Sequence, residues 1–212
     1  IAFDASSGGA TDSGTSLTVS HVCSGSNRLL LVGFITNTTT ASPTSVEYNG
    51  DAMTQLKVQA STTNGFRSFV YGLLAPDAGT FNIIITFAAA QLIYAGAASY
   101  TGVLQSGLPD ASVSEGQDEG TAWSIAITTV LDNCWVFAHG RILDPLATSP
   151  DTIRNTQGAL NFVADSNAAV SPAGAYTING TNTDGGDETL IAISFAPVVA
   201  AAAANHWLLT GV

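Results

Sequence analysis

Apolar and polar positions alternate with a period of two along much of this chain, and helical periodicity hardly occurs. Ser16-Leu17-Thr18-Val19-Ser20-His21-Val22 alternates apolar and polar with period two, the pattern of a half-buried strand. The run RLLLVGFIT from Arg28 to Thr36 is continuously apolar at its centre and fits a strand in a core. Strand-like runs at Thr44 to Tyr48 and Ala52 to Val58 flank Asn49-Gly50, a pair that favours tight hairpins because both residues tolerate positive φ. Phe66 to Leu74 and Phe81 to Phe87 follow, separated by the turn Ala75-Pro76-Asp77-Ala78-Gly79. Further runs lie at Gln91 to Tyr100, Thr121 to Val130, Cys134 to Ile142, Leu160 to Ala164, Ala173 to Ile178 and Thr189 to Phe195.

Roughly a dozen short strands punctuated by Gly, Pro, Asn, Asp and Ser predict an all-β protein. The expected architecture is a jelly-roll-like, two-sheet antiparallel β-sandwich over residues 1–196, with an extended C-terminal arm over 197–212. No linker divides the chain. A faint internal echo is present: SLTVSHVCSGSNRLLLVGF (Ser16 to Phe34) and SIAITTVLDNCWVFAHG (Ser124 to Gly140) both run from an alternating strand through a polar turn into an apolar strand. Two Greek-key halves, or a chance likeness of two hairpins, would each produce it. After Pro197 comes a run of small apolar residues and then Trp207, Leu208 and Leu209, which are candidate assembly contacts. Packing of this arm on its own sandwich is the alternative.

Composition narrows the role. The chain has 212 residues, 46% of them hydrophobic and only 10% charged, so a core is assured and small polar residues supply the surface. Sixteen acidic residues oppose five basic ones, for a net charge of −11. The basic residues Arg28, Lys57, Arg67, Arg141 and Arg154 are scattered, so no stripe exists to neutralise phosphates or an anionic lipid surface. Nucleic acid and membrane are therefore not expected as partners. No apolar run is long enough for a membrane helix, and the opening Ile1-Ala2-Phe3-Asp4 does not read as a signal peptide.

Candidate chemistry is sparse. Cys23 and Cys134 are either one disulfide closing a long loop or two small buried hydrophobes. His21, His139 and His206 fall in no metal-binding or catalytic spacing, and no nucleophile elbow occurs. The carboxylates Glu115, Asp118 and Glu119, and Asp184, Asp187 and Glu188, sit in Gly-rich segments and read as solvated loops rather than as a glycosidase pair. Asn182, Asp184, Asp187 and Glu188 carry oxygens suited to Ca²⁺, at a spacing that is not that of an EF-hand. No catalytic residue, cofactor or other metal ligand is assigned, and no enzyme activity is expected. A carbohydrate-binding face would need exposed aromatics, and Trp123, Trp135, Tyr48, Tyr71, Tyr94 and Tyr100 all fall on strands.

Ser16 to Phe34, VEYNGDAMTQL (Val46 to Leu56), YGLLAPDAGTFNIIITF (Tyr71 to Phe87), ASYTGVLQ (Ala98 to Gln105) and DNCWVF (Asp132 to Phe137) together resemble a recurrent β-sandwich module. That module occurs in bacteriophage virion proteins and in uncharacterised bacterial extracellular proteins. The resemblance spans roughly residues 1–196, carries no catalytic residues, and excludes the segment from Pro197 onward. It implies a structural virion protein, foremost a capsid decoration (cement) protein on the virion surface. Its partners would be further copies of itself and virion proteins such as the major capsid protein. A carbohydrate-binding or adhesion module of a phage tail or extracellular protein, and a subunit of an extracellular filament, are the alternatives.

Overall fold

The computed structural model describes residues 1–61, 65–117, 120–183 and 188–198. Its strands, in order, are β1 (Ala2–Cys23), β2 (Leu29–Thr36), β3 (Ser45–Tyr48), β4 (Asp51–Ala52), β5 (Thr54–Ala60), β6 (Arg67–Leu74), β7 (Gly79–Thr101), β8 (Ala111–Gln117), β9 (Ala122–Thr128), β10 (Trp135–Arg141), β11 (Leu146–Ala147), β12 (Thr152–Gln157), β13 (Asn161–Asp165), β14 (Ala175–Thr181) and β15 (Glu188–Phe195). The described residues contain no helix, and every strand pairing is antiparallel.

Residues 1–103 fold one sheet over into two layers. β1 and β7 form a long ribbon whose register shifts between Thr11 and Ser16, opposite the exposed Ala88-Ala89-Ala90. On one side of that interruption β7 pairs with β3, and on the other it pairs with β2. The two arms of the ribbon thus belong to two layers. Leu17, Val19, Ile83 and Ile85 from one arm pack on Ala95 and Ala97 from the other, with Leu30, Val32 and Phe34 of β2. The second half uses separate strands for the same layout. β8, β15, β10, β13 and β12 form one sheet, and β9, β14 and β11 form another packed against it.

Apart from the two-residue β4, which pairs with β3 and has no counterpart, the two halves repeat strand for strand. If each ribbon arm counts as one strand, the first pairs with the eighth, the second with the seventh, the third with the eighth and the sixth, the fourth with the seventh, and the fifth with the sixth. In the first half these are β1–β7 (both arms), β2–β7, β2–β6, β3–β7 and β5–β6. In the second they are β8–β15, β9–β14, β10–β15, β10–β13, β11–β14 and β12–β13. Details follow the same rule. Leu29 pairs with Tyr100 as Trp135 pairs with Phe195. Asn27 (φ 51°) and Asn133 (φ 60°) make the same left-handed entry to β2 and β10, a conformation that Asn tolerates. The fifth strand carries a bulge in both halves, at Leu56 and at Arg154.

The halves meet through their inner sheets about a pseudo-two-fold axis. Contacts across the seam are reciprocal: β5 packs on β8 as β12 packs on β1, and β6 on β15 as β13 on β7. Equivalent residues meet each other where the axis passes. Tyr100 and Phe195 lie 4.8 Å apart between ring centroids. Gly33 faces its equivalent, His139, and a Cβ on Gly33 would overlap the imidazole. The seam core contains Leu29, Leu31, Tyr100, Trp135, Phe137 and Ile193.

The all-β, antiparallel character is as the alternation predicts. The packing of antiparallel sheets is consistent with the expected β-sandwich, and the layering is doubled. Three cores separate four layers, because β2, β10 and β15 have no polar face and are covered on both sides. The sandwich also runs past residue 196: Pro197 bridges to Val103, and the Val198 amide donates to the Gly102 carbonyl. The described cysteines are buried free thiols rather than a disulfide. Cys23 ends β1 within the first core, and Cys134 precedes β10 in the second half, bridged to Val170, so different elements hold them. The arm residues Trp207, Leu208 and Leu209 lie outside the described residues.

Gly33→Ala is expected to lower stability by about 1–3 kcal/mol through overpacking at the axis. In urea denaturation this appears as a lower midpoint at unchanged slope.

Candidate functional site

Few ionisable groups are buried, and each is occupied by a neighbour in the fold. The strongest cluster lies in the seam. Asp165, on β13, is fully buried and Arg154 is nearly so. The guanidinium meets both carboxylate oxygens, with Nε–Oδ2 at 2.7 Å and an amino nitrogen to Oδ1 at 2.8 Å. Tyr100, from the other half, donates its hydroxyl to Oδ2 at 3.0 Å, and the Asn167 amide donates to Oδ1. Arg154 also lies 4.1 Å above the Phe3 ring. It reaches this position because the bulge between Ile153 and Asn155 turns it out of the β12 alternation. Burial and the adjacent Asp165 carboxylate push the Tyr100 hydroxyl far above its ordinary range.

A second motif occurs twice. Asp4 accepts from the Ser24 amide and hydroxyl and from the Ser99 hydroxyl. Its equivalent, Asp110, accepts from the Val130 and Leu131 amides and from the Ser194 hydroxyl. In each half the carboxylate ties the end of the second strand to the eighth. Burial raises the Asp4 pKa, but the bonds from Ser24 and Ser99 outweigh it and hold the carboxyl below 3.8.

The histidines serve the layers. His139 is fully buried on the axis, with Nδ1 2.9 Å from the Phe162 carbonyl and Nε2 3.2 Å from the Phe34 carbonyl. His21 Nδ1 lies 2.8 Å from the Ser7 hydroxyl, and its buried Nε2 has no partner. Among the described residues no carboxylate bonds the ring, so the pair does not by itself constitute a nucleophile–base–acid relay. Desolvation lowers both histidines from 6.5 to about 4. Asp151, buried between β11 and β12, accepts from the Tyr176 hydroxyl and the Asn179 amide. Burial pushes the Asp151 carboxyl up, against those two bonds.

The remaining sequence candidates do not converge. Asn182 is buried and its amide donates to the Thr121 carbonyl, Glu188 opens β15, and Asp184 and Asp187 lie outside the described residues. Glu115 stands on β8 opposite Leu190, while Asp118, Glu119 and His206 lie outside the described residues. Among the described residues, no three His, Cys, Asp or Glu side chains gather to hold a metal ion. None of the described aromatic side chains is exposed, and Trp123 and Trp135 are core residues. Three surface hollows, of about 220, 360 and 350 Å³, bring together neither a histidine nor a pair of carboxylates. The Arg154–Asp165–Tyr100 cluster and the repeated Asp–Ser pair were not identified from sequence. An acidic residue closing the apolar run Asn161–Asp165 was the available signal.

The chain matches no protein-family model, no curated protein and no solved structure.

Two predictions follow from these buried groups. Asp165→Gly leaves the Arg154 charge and the Tyr100 hydroxyl without their acceptor and is expected to lower stability by about 3–5 kcal/mol. Adding Arg154→Leu and Tyr100→Phe, which copies the symmetry-related Leu56, Gly72 and Phe195, should recover at least half of that loss in urea denaturation. Separately, both histidines are neutral when folded and protonate more readily when unfolded. Their contribution is complete above pH 6.5 and declines as pH falls towards about 4. Each is worth on the order of 3 kcal/mol at full loss. Asp151 acts in the opposite sense, since its raised pKa favours the folded state in acid. His21→Ile, which copies Ile127 of the second half, should flatten the pH 4–6.5 slope of the unfolding midpoint.

Proposed function

We propose that this protein is a structural component of a bacteriophage virion, foremost a capsid decoration protein that assembles through contacts between copies and with the shell. One observation carries the reading: the buried polar chemistry is used to hold layers together. Asp165, Arg154, Tyr100, Asp151, Tyr176 and His139 are each bonded to another strand. Such a molecule contributes rigid bulk and surface. Its exterior fits that role, with few charges and an abundance of Ser, Thr, Asn and Gly. The acidic balance suits a basic partner surface and opposes phosphate.

Light scattering and electron microscopy of the full chain test the reading. A discrete, concentration-dependent oligomer of defined symmetry is expected. A monomer at all accessible concentrations that binds immobilised glycans would replace the assembly reading with the carbohydrate-binding one. Open-ended fibres would replace it with the filament reading.

A further inference from the structure

The pseudo-two-fold axis relates two places that are finished differently. In the second half, Arg154 leaves the fifth-strand bulge, meets Asp165 on the sixth strand, and is covered by Phe3. The equivalents in the first half are Leu56, Gly72 and Pro109, by the registers that align Gly72 with Asp165 and Asp110 with Asp4. Leu56 and Leu108 close over Gly72, where a Cβ would come within 2.8 and 3.0 Å of them, and they fill only part of the space that the guanidinium and the ring take in the second half. What remains is a hollow of about 360 Å³, walled by Leu56, Gly72, Leu74 and Leu108. Its leucines are only partly buried, unlike those of the three cores. Leucines supply most of its side-chain wall, with Thr54 and glycine backbone beside them, and a concave site of this size accepts a large apolar side chain that has a polar edge.

We propose that this hollow is the socket for Trp207, Leu208 and Leu209 of a neighbouring copy of the chain. The inference rests on the assembly reading and names its contact. Three observations point to this occupant. First, the hollow lacks charged walls, and this segment holds the large apolar cluster that follows the sandwich. Second, the direction of the chain favours a neighbour over the same copy. The Leu104 amide bonds the Ala196 carbonyl, Val103 bridges Pro197, and the Val198 amide bonds Gly102. The chain therefore passes this loop towards Gly102, away from Gly107 and Leu108 at the hollow. Third, the length suffices: residues 199–206 can span about 26 Å when extended, enough to cross from one copy to the next. A tail-into-hollow contact is heterologous, so it generates a ring if the rotation closes.

Sedimentation velocity on full-length chains tests this with two kinds of variant. One blocks the hollow, by Leu108→Glu or, separately, by Leu56→Arg, which copies the residue at the equivalent place. The other removes the anchor, by Trp207→Ala with Leu208→Ala and Leu209→Ala. Circular dichroism establishes that each is folded. The expected result is an associating parent, monomeric single variants, and a two-chain complex when a blocked-hollow variant is mixed with the anchor variant, since one intact tail then meets one intact hollow. A parent oligomer that survives both changes overturns the tail-in-hollow contact while leaving the assembly reading standing. A monomeric parent whose melting temperature falls on loss of the anchor assigns the hollow to the chain's own tail and overturns the proposal. A monomeric parent that neither change affects overturns both.

Discussion

One carboxylate fixes how the two halves sit together. Asp165 is removed from water between the inner sheets, and a buried charge is tolerated only when it is paired and its remaining lone pairs are satisfied. Its partners come from three places: Arg154 on the neighbouring strand, the Asn167 backbone beyond the strand end, and Tyr100 from the other half. Satisfying all three constrains the register of β12 on β13, the bulge that frees Arg154, and the docking of β7 across the seam. A buried ion pair of this kind contributes little net stability beyond what apolar packing would. Its contribution is orientation, because a shifted seam would strand the charge.

The symmetry-related place, made by Leu56 and Gly72 of the first half with Phe195 of the second, shows what the same positions look like without that carboxylate. Leu56, Gly72 and Phe195 stand where the second half's network has Arg154, Asp165 and Tyr100. Met53 and Phe81 stand where it has Asp151 and Tyr176, and Met53 is buried like Asp151. In each case donor and acceptor are present together or absent together. That coupling follows from energetics, since one member alone leaves an unsatisfied buried group, whereas a paired replacement is close to neutral. The Asp4–Ser99 and Asp110–Ser194 pairs are retained in both halves for a different reason. They satisfy backbone amides where the second strand ends, and those donors are present whatever the side chains.

Local pattern made the strands legible before the structure. Ser16 to Ser20 alternates in burial as it alternates in polarity, and the burial period continues through buried His21 and exposed Val22 against their polarity. β2, within RLLLVGFIT, is buried throughout. Asn49-Gly50 forms the turn between β3 and β4, with φ of 52° and 87°. The echo between Ser16–Phe34 and Ser124–Gly140 traced two strands of the repeat. The other six were hidden because β1 and β7 each hold two strands in one continuous run. Equivalent positions also share burial rather than residue type, as Leu29 with Trp135 and Gly33 with His139 do. The number of layers was not legible: periodicity tells which side chains point inward, not which sheet they meet. Nor was the seam network, since scattered arginines gave no reason to join Arg154 to Asp165 and Tyr100.

Duplication by itself would give a protein with two identical faces. Here the inner sheets are consumed by the seam, so the surface left open is that of the outer sheets, the strand edges and whatever the two bulges leave uncovered. The bulge at Arg154 is closed by its own guanidinium and by Phe3, and the one at Leu56 is open. Breaking the symmetry at this place changes the valence of the molecule. Two open hollows would let one copy accept two tails while supplying only one, and assembly would branch. With one hollow and one tail on the proposed contact, each copy accepts once and donates once, which is the condition for a ring or a single-file chain. On that proposed contact, the polar closure that orients the seam would also keep assembly unbranched.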